Sequence, residues 1–478
     1  MKLRMPEGEN MDILMNFTDR LDSFLYTYVL VIILIAAGIY FTVVTKGVQV
    51  RLFRDALRVV MEKPDKEGSV SSFQALMVST ASRVGTGNII GVASAIMAGG
   101  YGAVFWMWII AFIGGASAFI ESTLAQIYKK RDPNGGSYGG PAYYIEAALH
   151  SRGLGAAFAA FMILTYAGGF NMLCSYNLQS TFKGYSFYNG ASPAIIGAIT
   201  ALLVGYCLFG GGKRIVSVTS ILVPFMGCAY VLVALIVIVL HIQVLPGVFA
   251  RIFREAFEFR AIFGGFVGSC MMYGIKRGLY SNEAGVGSAP NAAAAADVSH
   301  PVKQGLVQML SVFIDTLLLC TCTAFLCLCS GVDPAGIEEN AIYVQESLRA
   351  VLGGFGPVFL TAAMVLFAFT TLLGNLFYMD NLLIYLHRKI PSHQFMTGFR
   401  LTAVVLIFAG ACMKASLLWN LADIFMGGMA LINIPVIVLL HRTALGALKD
   451  YCAQRRQGKN PVFSAQSVGL EGKLDFWE

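Results

Sequence analysis

Runs of about twenty apolar residues recur along this 478-residue chain, each long enough to cross the hydrocarbon core of a bilayer as a helix. That recurrence leaves few folds open. Lipid supplies no hydrogen-bond partners, so a spanning run must satisfy its own backbone internally. Eleven spans are expected, over residues 24–45, 73–98, 102–128, 155–180, 193–210, 214–241, 262–280, 304–330, 356–386, 396–413 and 415–441. The fold class that follows is an all-α polytopic membrane protein. The residues before the first span are polar and acidic. That span is too long for a secretory signal and lacks a small-residue cleavage site after it, so it reads as a retained helix.

Two of these runs carry glycine-rich interruptions. Arg83-Val84-Gly85-Thr86-Gly87-Asn88 breaks the second, and a second break is expected near Gly268 to Gly287. Unwound backbone inside a membrane survives only where it lines a cavity or binds something polar. Setting the first span aside leaves ten, and each break then opens a group of five. Five is odd, so the groups run in opposite orientations, the arithmetic of an inverted repeat with broken helices meeting at its centre. The domain reading is a polar extracytoplasmic segment 1–23 and one transmembrane domain 24–441. That domain comprises an extra helix 24–45 and five-helix repeats 73–241 and 262–441, and a cytoplasmic tail 442–478 follows.

Basic residues near span ends stay cytoplasmic. Counting loops alternately puts 24 Lys and Arg on one side and 9 on the other, with Arg83 inside a span. The N-terminus is expected outside and the C-terminus in the cytoplasm. The segment 46–72 reads either as a basic amphipathic helix on the inner surface or as a solvated loop. Nine of the ten cysteines fall in or beside spans, and their spacing lacks a C-x2-C pair, so they read as packing residues rather than a metal site.

A half-helix starting after the first break would aim the amides of Thr86, Gly87 and Asn88 at an anionic group such as a carboxylate. The half-helix ending there leaves carbonyls around Ala81 and Val84 that suit a small hard cation. A kink with no ligand is the plainer alternative. In span nine, Thr370 and Thr371 either back-bond to their own turn or complete an oxygen shell for an ion. Arg83, Glu121, Glu283, Asp315, Asp380 and Asp423 are the charges within or near spans, each expensive in hydrocarbon unless functional or paired. Arg83 either pairs with Glu121 or Glu283 as a gate or snorkels. No nucleophile elbow, zinc-protease helix or phosphate-binding loop is present in the sequence. A secondary transporter, not an enzyme, is the expectation.

Three stretches carry a family resemblance: Gly85-Thr86-Gly87-Asn88-Ile89-Ile90-Gly91-Val92-Ala93, Gly99-Gly100-Tyr101-Gly102-Ala103-Val104-Phe105-Trp106-Met107-Trp108, and Ser281-Asn282-Glu283-Ala284-Gly285-Val286-Gly287-Ser288-Ala289-Pro290-Asn291-Ala292. They resemble the bacterial alanine or glycine:cation symporters of the amino acid-polyamine-organocation superfamily, over residues 20 to 450. The resemblance implies a leucine-transporter-like 5+5 inverted repeat and sodium-coupled import of a small neutral amino acid, chiefly alanine or glycine, across the bacterial inner membrane. Sodium is the implied co-transported ion. The implied partners are the amino acid and the bilayer, with no nucleic acid and no obligate protein.

By the same resemblance, Thr86, Gly87 and Asn88 receive the substrate carboxylate, and Asn171, Met172, Gly274, Ile275, Thr371 and Asn375 line the pocket. Ala81, Val84, Phe367, Thr370 and Thr371 hold sodium. Asn375 stands where many relatives have Trp, which implies a larger, more polar pocket and makes glutamine or serine an alternative substrate. Arg83 stands where relatives with a second ion site carry a small residue, implying one sodium per substrate. The absence of a lysine within 214–241 favours sodium over protons. A non-transporting amino-acid sensor of the same fold is the alternative from a different class.

Overall fold

The computed structural model describes residues 7–64, 69–131, 136–258, 270–470 and 474–477. Lys66, Arg260, Gly268 and the start of the expected span 262–280 lie outside these. Eight helices among the described residues are long and apolar enough to cross a membrane. The other expected spans appear as the two broken segments and the 17-residue helix Ser192–Leu208.

The first helix, α1, is longer than the apolar run: Glu7–Phe24 continues through a π-turn, Leu25–Leu30, into Val31–Val44. The acidic lead segment is thus helical, and one of its carboxylates, Asp22, has a cationic partner on another helix. An amphipathic helix, α2, Phe53–Val60, follows and buries Ala56 and Val59, which decides between the two readings of 46–72 in favour of a helix there.

The second segment begins at α3, Ser72–Arg83, with a capping box: Gln74 N–H donates to Ser71 Oγ (3.1 Å) and Ser71 N–H to Gln74 Oε1 (3.0 Å). It stops where Val84 adopts extended backbone (φ −77°, ψ 90°). The chain resumes through a π-turn, Gly87–Gly91, into α4, Val92–Gly99. After it come α5, Gly102–Ile127, and, past a short hairpin of β1 (Lys130–Arg131) and β2 (Ser137–Tyr138), α6, Pro141–Leu149. The hairpin departs from the all-helical expectation. Next are α7, Arg152–Ser180, α8, Ser192–Leu208, α9, Gly211–Leu240, and α10, Leu245–Ala256.

The second broken segment has α11, Cys270–Asn282, then non-helical residues 283–288, then α12, Ala289–Ala295. The break therefore sits at the C-terminal end of the expected range, and Gly274 lies within an intact helix. The remaining helices are α13, Pro301–Leu328, interrupted by a π-turn at Phe313–Cys320; α14, Asn340–Leu352; α15, Phe355–His387; α16, His393–Ala411; and α17, Ala415–Arg456.

The fold sets α5 along α13 and α11, and sets α15 against α3 and α9. The last helix continues past the expected span end at residue 441 to Arg456, and described residues beyond it pack back on the helices. Phe463 N–H donates to Ser299 O, and buried Trp477 donates from Nε1 to Gln126 O (2.8 Å).

Candidate substrate and ion site

The first break can lie close to α15 because Gly374 has no side chain: a Cβ there would stand 2.5 Å from Ser82 N. Gly85 is under the same constraint, since its Cβ would meet Thr371 Oγ1 at 1.9 Å. These contacts bring Ala81, Val84 and Thr371 together. Thr371 Oγ1 donates to Val84 O at 3.4 Å. Thr370 turns the other way. Its hydroxyl donates within its own turn, to Leu366 O (3.0 Å) and Phe367 O (3.1 Å), and lies 3.4 Å from Met226 Sδ on α9.

At the break, Gly85 N–H donates to Asn88 Oδ1 (2.8 Å) and Asn88 N–H to Gly85 O (3.2 Å). The Asn88 amide is therefore already bonded, which leaves the amides of Thr86 and Gly87 as the ones available to a ligand. Asn177 Nδ2 on α7 donates to Thr86 Oγ1 (3.2 Å). Asn375 is held as well: Ser82 Oγ donates to its Oδ1 (2.6 Å), and its Nδ2 donates to Asn171 Oδ1 (2.8 Å). The Nδ2 of buried Asn171 and the Oγ of buried Ser175 have no hydrogen-bond partner in the protein, so this polar strip retains unmet capacity.

Other expected residues lie apart from this strip. Gly274 packs on α5, where a Cβ would come 2.3 Å from Ala103 O and 2.7 Å from Trp106 Cβ. Ile275 is a core residue. The backbone of Met172 packs against Gly410 of α16.

The expected gate pair differs in its contacts. Arg83 is buried, yet no carboxylate lies within 4.0 Å of it among the described residues; its Nη1 donates to Gln308 O (3.4 Å), while Nε and Nη2 have no partner. Glu121 accepts from Gly285 N–H (3.3 Å) and Asn433 Nδ2 (2.9 Å), and Glu283 accepts from Ser288 Oγ (2.5 Å). Arg83 acts on both carboxylates only at longer range. Glu283 also sits at φ 53°, a conformation disfavoured for residues other than glycine and often found at functional sites.

Direct ion pairs form elsewhere. Lys276 Nζ contacts Asp22 Oδ2 (2.5 Å) and Asp423 Oδ2 (3.0 Å), and Arg277 Nη1 contacts the same Asp423 oxygen (3.2 Å). The division of 24 basic residues against 9 includes Lys276 and Arg277 among the loop residues, although both fall in the expected span 262–280; α11 carries both in its buried length, where carboxylates from α1 and α17 neutralise them. The sequence does hold a signal for this cluster, an adjacent Lys and Arg between apolar residues with two isolated aspartates elsewhere. Above the break, Tyr280 packs between Phe170 and Trp419, at ring-centroid distances of 4.9 Å to each.

Comparison with known proteins places the chain among sodium-coupled carriers. Residues 11–465 match the sodium:alanine symporter family. The amino-acid carrier protein AlsT of Bacillus subtilis is 42% identical over 95% of this chain and 96% of its own. The probable sodium/glutamine symporter GlnT of the same organism is also 42% identical, over 95% and 94%. The sodium/proton-dependent alanine carrier protein of Bacillus sp. strain PS3 is 38% identical over 88% and 97%.

Proposed function

The chain belongs to the sodium:alanine symporter family and is a sodium-coupled amino-acid carrier rather than an enzyme; from that premise we propose that it imports alanine or glycine by alternating access around the first break. The observation that carries this reading is the broken helix at Val84, held by Thr371 on one side and by Asn177 at Thr86 on the other. Freed amides at the start of a half-helix favour a carboxylate, and freed carbonyls at the end of one favour a cation.

In this reading the amides of Thr86 and Gly87, beside Asn88, receive the substrate carboxylate, and Asn171 and Asn375 face its remainder. Sodium lies among the carbonyls of Ala81, Val84 and Phe367 and the hydroxyls of Thr370 and Thr371. Thr370 would have to turn from its own helix to join, so Thr371 is the stronger ligand. The eleven-span count, the inverted 5+5 repeat with α1 outside it, and membership of the wider amino acid-polyamine-organocation superfamily belong to the same proposal. So do the bacterial inner membrane, the outside N-terminus and the cytoplasmic C-terminus. With Lys276 and Arg277 removed from the loops, basic residues still divide 22 against 9.

One observation favours glutamine as a second reading. Asn171 and Asn375 present paired amides where a larger aromatic would narrow the pocket, and a relative carries a glutamine name. Uptake of labelled alanine, glycine and glutamine into proteoliposomes, with and without an inward sodium gradient, separates the two. Sodium-driven alanine or glycine uptake supports the first reading and glutamine dominance the second. Uptake indifferent to sodium would overturn the proposed ion site.

A further inference from the structure

We propose that the cavity between the ends of α6, α7 and α15 binds the phosphate group of an anionic phospholipid. It shares no residue with the candidate site at the first break, so the inference does not rest on where substrate or sodium binds.

The cavity has a volume of about 480 Å³, and its lining includes Lys130 of β1, Tyr143 and Glu146 of α6, Arg152 of α7, and Tyr385 and Arg388 at the end of α15. Cations outnumber carboxylates there. Lys130 is paired with Asp475 (3.1 Å), but Arg152 and Arg388 share Glu146, whose oxygens stand 3.7 and 3.6 Å from the two guanidinium groups. Those separations are too long for hydrogen bonds, and partly exposed pairs of this kind stabilise by about 1 kcal/mol or less. One carboxylate between two guanidinium groups leaves a positive charge over.

Tyr385 gives a second, independent sign of a ligand. It is only 5% exposed. Its ring packs on Tyr143, with centroids 4.9 Å apart, and lies 5.6 Å from the Arg152 guanidinium, yet its hydroxyl has no hydrogen-bond partner in the protein. A buried hydroxyl left in that state costs about 1–3 kcal/mol, which an acceptor entering the cavity would recover. Gly155 makes room for it, since a Cβ there would stand 2.2 Å from the hydroxyl oxygen. The two arginines are also set in place. Arg152 Nη2 donates to Leu386 O (3.1 Å). Arg388 caps α15 at φ 57°, a position usually taken by glycine or asparagine, so an arginine is kept there at a cost of about 1 kcal/mol.

A phosphate group fits this donor set. Guanidinium forks donate in pairs to its oxygens, and the tyrosine hydroxyl can donate to another. The surroundings favour a lipid over a free ion. Leu154, two residues after Arg152, and Ile390, two after Arg388, are both exposed, so apolar side chains flank the arginines as acyl chains require. In the orientation proposed above, this end of α15 faces the inner leaflet, where basic pockets between membrane helices hold anionic headgroups.

The test is native mass spectrometry of the full-length protein in detergent, titrated with phosphatidylglycerol or with zwitterionic phosphatidylcholine. The parent should retain about one phosphatidylglycerol per chain in preference to phosphatidylcholine. Arg388→Gln and Tyr385→Phe should each weaken that binding by about tenfold. Tyr385→Phe should leave the melting temperature in lipid-free detergent unchanged, because the lost hydroxyl has no partner there. Glu146→Gln removes the competing carboxylate and should tighten binding, a change of sign that a folding defect does not produce. Equal phosphatidylglycerol binding by the parent and all three variants would overturn the site. Displacement of the lipid by inorganic phosphate would overturn the lipid assignment and leave a site for a free anion.

Discussion

Two buried charge clusters in this molecule are built on opposite plans. At α11, Lys276 and Arg277 meet Asp22 and Asp423 in direct contact, with equal numbers of each sign. Aromatic faces cover the cations: Lys276 Nζ is 4.7 Å from the Tyr26 ring and the Arg277 guanidinium 4.0 Å from the Trp419 ring. Below the first break, Arg83 stands with Glu121 and Glu283 and touches neither. Both carboxylates there are satisfied by neutral donors, and two guanidinium nitrogens lack partners. A balanced, contacting set fastens helices together. It ties α1, which stands outside the proposed repeats, to the helix that precedes the second break. An unbalanced, non-contacting set leaves an electrostatic demand that a mobile cation, proton or water can meet, as a carrier requires.

The comparison is most open to disproof at Asp423, which holds two cations. Asp423→Ala should destabilise the protein by about 3–5 kcal/mol, the cost of leaving buried charges unpaired, read as a large fall in melting temperature in detergent. An unchanged melting temperature would show that the cluster is not a fastening. Thr371→Ala tests the break itself and should reduce sodium affinity by about 1–3 kcal/mol, measured as the sodium concentration for half-maximal uptake.

His300, at the start of α13, offers a gentler test outside the spans. Its Nδ1 accepts from Val302 N–H (3.2 Å), and burial, with Lys303 nearby, lowers its pKa to about 3. Asp450, 3.4 Å from Nε2, would favour the charged ring, but protonating Nδ1 would break the helix cap. In the unfolded chain His300 takes up its proton near pH 6.5, whereas the folded chain refuses it down to about 3. Its contribution is therefore present above pH 6.5 and is lost as pH falls below it, at about 1.4 kcal/mol per pH unit. His300→Gln should flatten that part of the stability profile. The smallest effect is expected at Glu121→Gln. Removing a carboxylate that has no contacting cation should leave stability within about 1 kcal/mol of the parent, while the same neutralisation at Asp423 should not.

Much of the architecture was legible because a bilayer imposes a simple demand. Length and apolarity located the helices, and glycine-rich polar residues at 83–88 located the first break to within a residue or two. The second break was harder, since glycines are scattered from Gly268 to Gly287 and the spacing alone does not say which permit close packing. Gly274 is needed because α5 passes against it; the backbone unwinds instead at Glu283–Ser288. Thr370 and Thr371 are adjacent in sequence and equivalent in chemistry, but a helix turns successive side chains by about 100°, so only one reaches Val84.

The sequence by itself determined that this chain spans a membrane, that one helix is interrupted by residues suited to ions and carboxylates, and that its motifs are those of a sodium-coupled family. Those properties follow from local composition, which acts the same wherever the segment is placed. Tertiary structure alone decided which charges pair. Asp22 and Lys276 are separated by 254 positions and Asn88 and Asp315 by 227, and whether such groups attract or merely coexist depends on distances of a few ångströms that no local pattern encodes.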